Sequence, residues 1–185
     1  MRAARVGAGT LSVLGALAAA ASLAACGGSS HDGVSPASYA RSLCAAVAPF
    51  EDEILRRSNQ LRLAPNKTVV ENRDALRAFL VALGAATARA LARLRAAGTP
   101  DVPHGGATAT AFVGAFSRIE RAFSSAARRA GSLPTGSIGA YKRSAGALVD
   151  SIKASIGQLG QSLGALRSPE IQAAARKLPA CHALG

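Results

Sequence analysis

Four stretches of this chain place apolar side chains three or four residues apart, the spacing that gathers them on one face of an α-helix. The first carries Tyr39, Leu43, Val47, Phe50, Ile54 and Leu61. Ser35 stands where an N-cap belongs, and Pro36 at the first helical position, where its missing N–H costs nothing. Pro49 interrupts the stretch, so the helix either kinks or restarts there; Glu51, Asp52 and Glu53 would suit the first turn of a restarted helix. After a break at Ala64-Pro65-Asn66, the run Thr68-Val69-Val70-Glu71 reads as a capping box. The helix it opens is expected to reach about Ala97, with Leu76, Leu80, Leu83, Leu91 and Leu94 on or near its stripe, until Gly98, Pro100 and Pro103 stop it.

A third helix is predicted over about Ala107 to Ala130, with Phe112, Phe116, Ile119 and Phe123 along one stripe. A fourth starts near Ser137. Its Ile138, Tyr141, Ala145, Leu148, Ile152, Ile156, Leu159, Leu163 and Leu166 recur at an average step of about 3.5 residues, the strongest periodicity in the chain and the seam of an antiparallel bundle. Gly146, Gly157, Gly160 and Gly164 weaken this helix and suit close approach to a neighbour. Ser168-Pro169-Glu170 then caps a short helix ending around Leu178, and Pro179 leads to Cys181. Four long helices with short connections predict an all-α, up-down-up-down four-helix bundle with a short C-terminal helix.

Before residue 35 the pattern changes. Arg2 and Arg5 precede a segment, Val6 to Ser30, without a single charge, and small residues stand just before Cys26. This is the pattern of a secretory signal peptide. Leu23-Ala24-Ala25-Cys26 resembles the bacterial lipobox, which implies that the Cys26 thiol is alkylated by a diacylglyceryl group, carries palmitate-type chains and becomes the first residue of the mature protein. An ordinary secretory signal and an uncleaved membrane anchor are the alternatives. All three, with Arg2 and Arg5 held inside, place the rest of the chain outside the cytoplasm. The expected organisation is a lipoprotein signal peptide over 1–25, a flexible Gly/Ser tether over 26–34 and a helical bundle domain over 35–185.

Removing 25 of the 185 residues leaves 160, enough for one domain with a sizeable core. Aromatics are only 4% and Trp is absent, so that core rests on Leu, Ile, Val, Ala and a few Phe. If Cys26 goes to lipid, as the lipobox resemblance implies, Cys44 and Cys181 remain as an even pair in an oxidising compartment, expected to form one disulfide joining the two ends of the domain. No Cys-x-x-Cys is present, and His182 beside Cys181 is too little for a ligand set, so no metal and no cofactor are expected.

The net charge is +12, and losing Arg2 and Arg5 lowers it to +10. Outside the cell nucleic acid is not an expected partner; anionic lipid, an acidic wall polymer or an envelope protein is. An Arg- and Ala-rich repertoire from a GC-rich genome would give the same balance without a function. The candidate anionic-partner surface comprises Arg73 and Arg77, Arg89 and Arg93, each spaced i and i+4, with Arg118, Arg121, Arg128 and Arg129 opposite the Phe stripe. A solvated helix face would look alike.

Phe112, Phe116 and Phe123 could line a pocket for a small hydrophobic ligand or simply fill the bundle, and the second reading is favoured. Asp101 and His104 sit close in the longest loop but lack a third partner or nucleophile. With His31 in the tether and His182 at the end, no catalytic triad assembles, so a non-enzymatic binding or structural protein is expected. The alternative is a carrier or sensor of a hydrophobic molecule.

The lipobox and Gly/Ser tether are followed by Tyr39, Leu43-Cys44, Phe79-Leu80, the turn Gly98-Thr-Pro-Asp-Val102, Ser168-Pro169-Glu170-Ile171 and Ala180-Cys181. In these features the chain resembles a group of small, mostly uncharacterised actinobacterial lipoproteins. That resemblance implies an exported, membrane-tethered helical domain and names no reaction.

Overall fold

Hydroxyl side chains open four of the five helices. Ser35 Oγ accepts from the Ser38 amide at 3.2 Å, Ser137 Oγ from Ala140 at 3.2 Å and Ser168 Oγ from Ile171 at 3.3 Å. Thr68 and Glu71 form the complete capping box: the Thr68 amide donates to Glu71 Oε2 at 2.7 Å and the Glu71 amide to Thr68 Oγ1 at 3.2 Å. The helices they start are α1 (Pro36–Arg62), α2 (Val69–Ala96), α4 (Ile138–Gly164) and the short α5 (Pro169–Ala175). The exception is α3 (Gly105–Gly131), whose N-cap His104 is left-handed, at φ 58°, and makes no side-chain cap. This computed structural model describes residues 33–62, 67–164, 168–179 and 181, with the side chains of 61–62 and 158–164 excluded. Residues 1–25, Cys26, the tether as far as residue 32, Leu166 and His182 therefore lie outside the described residues, as do the side chains of Leu61, Leu159 and Leu163.

The fold is an all-α bundle of four long helices, completed by α5 and a Cys44–Cys181 disulfide between its two ends. The Cα atoms of the pair are 5.2 Å apart, within the span a disulfide bridges. Helix α2 runs antiparallel to α3, since Arg77 lies beside Gly131 near one end while Gly84 lies beside Phe123 and Ser124 further along. It also packs on α1, while α4 packs mainly on α3 and α5 on α1. By length and composition α2 could cross a membrane, but its apolar stripe is core: Leu76, Leu80, Leu83, Leu91 and Leu94 are all buried.

Two clusters fill the interior. In one, Leu76, Leu80 and Leu83 of α2 meet Ile119, Phe123 and Ala127 of α3 and Leu148 of α4. In the other, Tyr39, Ala40 and Leu43 of α1 meet Leu91 and Leu94 of α2, Phe116 of α3 and Ile171 of α5. Phe50 packs against both, its ring edge-on to Phe116 at 5.8 Å between centroids. Each fully buried leucine or isoleucine contributes about 1.5–3 kcal/mol relative to exposure.

Three expectations need adjusting. Helix α1 runs unbroken through Pro49, so Glu51–Glu53 do not open a new helix; Glu53 instead pairs with Arg56 and with Arg57 one turn on. Helix α3 starts two residues earlier than Ala107, because Gly105 packs so tightly on Pro100 that a Cβ there would collide with the Pro100 carbonyl oxygen. The seam of α4 is only partly used: Leu148 is buried, Ala145 and Ile152 are partly covered, and Ile138 and Ile156 are exposed.

Candidate functional site

The chain enters α1 through a built junction. The Val34 amide donates to the Thr99 carbonyl at 2.8 Å and the Asp101 amide to the Val34 carbonyl at 2.8 Å, a one-residue parallel bridge between the chain entering α1 and the α2–α3 loop. Gly98 makes this possible, with φ at 77°, a conformation that side chains resist, and with the Val34 side chain against it. Pro100, the residue paired with Val34 in this bridge, is buried. Val34 is thereby fixed at the end of the bundle where α1 begins, α2 ends and α3 begins.

The Arg residues expected to form a surface for an anionic partner do not form one patch. Arg77, Arg89, Arg118, Arg121, Arg128 and Arg129 are exposed, but they are spread along α2 and α3. Arg73 is paired with its neighbour Asp74 at 2.8 Å. Arg93 Nη1 donates to the Ala45 carbonyl of α1 at 3.0 Å, so one of its N–H groups is spent on the fold. Arg41 in the second turn of α1 and Arg95 near the end of α2 are exposed as well. The hydrogen bonds of Val34 to Thr99 and Asp101 put the start of α1, which carries Arg41, at the end of the bundle where α2 finishes with Arg95.

Phe116 and Phe123 are buried and Phe112 is half-buried, each in contact with a core cluster. Their rings fill the interior in the way aromatic side chains do in a bundle otherwise made of small residues. Two surface grooves stand out, and none of the three rings lines either. The larger, about 300 Å³, lies between α2 and α3 on Val81, Gly84, Ala85 and Ala88, with Arg77 and Arg128 at its rim. The smaller, about 190 Å³, lies between α3 and α4 beside Arg129, Ser151 and Ser155. Small side chains at these positions leave the troughs, a signal visible in the sequence only once the facing helices are known.

Asp101 and His104 occupy the α2–α3 loop, both exposed. Among the described residues no three of His, Cys, Asp and Glu converge on a point that could hold a metal ion. The titrating groups with displaced values serve local structure. Burial raises the Tyr39 and Tyr141 hydroxyls. Hydrogen bonds from Arg56 and Arg57 lower Glu53, those from the Thr68 amide and hydroxyl lower Glu71, and those from the Ser168 hydroxyl and the Glu170 amide lower Glu170. Burial, and then the Asp52 charge, raise Glu51.

No family model, curated protein or solved structure matches this chain.

Proposed function

We propose that the chain is an exported lipoprotein, held on the outer face of the cell membrane by an acylated Cys26, and that it acts there as a non-enzymatic binding or structural component of the envelope. The observation that carries this reading is the division of the three cysteines. Cys44 and Cys181 are joined to each other, which suits an oxidising compartment, and the remaining one directly follows Leu23-Ala24-Ala25. Acylation supplies about 0.8 kcal/mol per buried methylene, and two or more chains are needed for a stable anchor. The basic exterior supports a partner that is anionic: lipid, wall polymer or envelope protein.

Intact-mass analysis of the protein purified from its own membrane tests the reading. The expected result is a chain beginning at Cys26, heavier by a diacylglyceryl group and lighter by the two hydrogens of one disulfide. Replacing Cys26 by Ala is expected to abolish incorporation of labelled fatty acid, and an unmodified Cys26 on membrane-bound protein would sink the proposal. A second reading, a carrier of a small hydrophobic molecule, has one observation in its favour, the groove of about 300 Å³ between α2 and α3. A bound lipid in the same native mass spectrum would favour it.

A further inference from the structure

We infer that the groove between α2 and α3 binds a fatty acid, with Arg77 and Arg128 holding the carboxylate and Val81, Gly84, Ala85 and Ala88 the hydrocarbon chain. This rests on the carrier reading, the second of the two above, and is independent of Cys26. The groove exists because its walls are small: Gly84, Ala85 and Ala88 on α2 and Ala127 on α3 leave a trough of about 300 Å³, which the buried Leu80 also lines. Val81 stands in it with 54% of its surface exposed, a large apolar side chain that the fold leaves uncovered. From Arg77 to Ala88 the trough follows α2 for about 16 Å. Spread over that length, its volume gives a cross-section of roughly 20 Å², the width of one hydrocarbon chain and not of two.

Charge decides which way such a chain lies. Arg77 reaches from α2 to α3: a Cβ on Gly131 would stand 3.5 Å from its Cδ and 3.7 Å from its Nε. Gly131 is one turn beyond Arg128 on α3, so the two arginines line the same end of the groove. Both are exposed, and among the described residues neither pairs with a carboxylate. The other end is lined by Glu120, about 12 Å from Arg128 along α3, whose carboxylate accepts from the Ser124 hydroxyl at 3.0 Å. Arg89 and Arg121 are exposed near that end as well, but neither lines the groove, within which charge runs from two cations to one anion. A chain with a single anionic terminus therefore lies with its head at Arg77 and Arg128, where the planar guanidinium fork matches a carboxylate. Each methylene adds up to about fourfold in affinity where it is fully buried, and less in an open trough, so recognition needs head and chain together.

The test uses the full chain in phosphatidylcholine nanodiscs, with dodecanoate carrying a photoreactive diazirine as the probe and peptide mass spectrometry to locate the cross-links. They are expected on α2 and α3 along the groove. Unlabelled dodecanoate should compete about tenfold better than dodecanol, which lacks the charge, and roughly tenfold better than octanoate, which lacks four methylenes. Arg77→Gln with Arg128→Gln should weaken dodecanoate about tenfold and leave dodecanol unchanged. Lys142→Gln with Arg143→Gln removes the same charge from exposed positions of α4 and should alter neither; circular dichroism verifies that both variants remain helical. Ala85→Leu with Ala88→Leu fills the trough at two exposed positions and should abolish cross-linking there. Equal loss in the two charge variants, or dodecanol competing as well as dodecanoate, overturns the inference and leaves the carrier reading standing. Cross-links scattered over the surface, or none, overturn both. A native mass spectrum showing a dimer or a bound protein that Ala85→Leu with Ala88→Leu releases, with no cross-link in the groove, assigns the groove to a second copy or a partner helix and overturns the inference too.

Discussion

A proline inside a helix removes one backbone hydrogen bond and leaves the carbonyl four residues back without its donor. In α1 the proline is Pro49 and the carbonyl is that of Ala45, which receives Arg93 Nη1 from α2 at 3.0 Å. The arginine thus supplies from a neighbouring helix the donor that Pro49 cannot, and in doing so ties α1 to α2. A single net hydrogen bond of this kind contributes about 1 kcal/mol. Arg93→Ala is therefore expected to lower the unfolding free energy by roughly that amount, measured by urea denaturation. In a Pro49→Ala background residue 49 regains its N–H, and the cost of Arg93→Ala should fall towards zero, a coupling of about 1 kcal/mol. The same cost in both backgrounds would show that Arg93 acts in some other way. Pro49 is conspicuous in the sequence and its consequence for α1 was open between a kink and a restart. The donor that lets the helix continue lies 48 residues from the Ala45 carbonyl it satisfies, a distance over which sequence pattern carries no register.

Helix ends are the most legible part of the chain, because a cap is a short-range device: Ser35-Pro36, Thr68 with Glu71, and Ser168-Pro169 all do what their residue types suggest. The start of α3 escaped this reasoning, since it depends on the contact between Gly105 and Pro100 and not on a capping hydroxyl. The seam of α4 was legible as a periodicity but not as burial. A step of about 3.5 residues shows that apolar side chains share a face, while which part of that face finds a partner is decided by the other helices. Carboxylates at two of the helix starts and one within α1 make an acid-labile contribution to the fold. Glu53, Glu71 and Glu170 titrate below the ordinary glutamate range in the folded chain, held down by the hydrogen bonds they accept. Groups lowered on folding stabilise above the unfolded value, about 4.3, and that contribution is lost as pH falls through their lower folded values. Glu51 works in the opposite direction, because burial raises it, and it offsets part of the loss. The expected profile is a thermal midpoint that is level above about pH 5 and declines below about 4.3. Glu71→Gln should flatten part of that decline, and an unchanged slope in this variant would remove the capping box from the explanation.

Across the whole molecule the two core clusters divide the work of closing the bundle. The cluster built on Leu80 and Phe123 is covered by α4 through Leu148; the one built on Tyr39 and Leu94 is covered by α5 through Ile171. Helix α5 has seven residues, too few to persist alone, so it depends on that one buried isoleucine, its neighbours and the covalent link from Cys181 to Cys44. The disulfide closes 137 residues of sequence, for which the chain-entropy model gives on the order of 5 kcal/mol, with about 2–5 expected in practice. Its loss should not be felt evenly. In the Cys44→Ala, Cys181→Ala variant, amide hydrogen exchange is expected to rise first in α5 and the first turns of α1, while α2 and α3 around Leu80 and Phe123 keep the protection of the global fold. Exchange that rises uniformly through all the helices would show that the two clusters open as one unit. The Val34 bridge belongs to the half built on Tyr39 and Leu94, so the link that holds α5 also steadies the entry to α1.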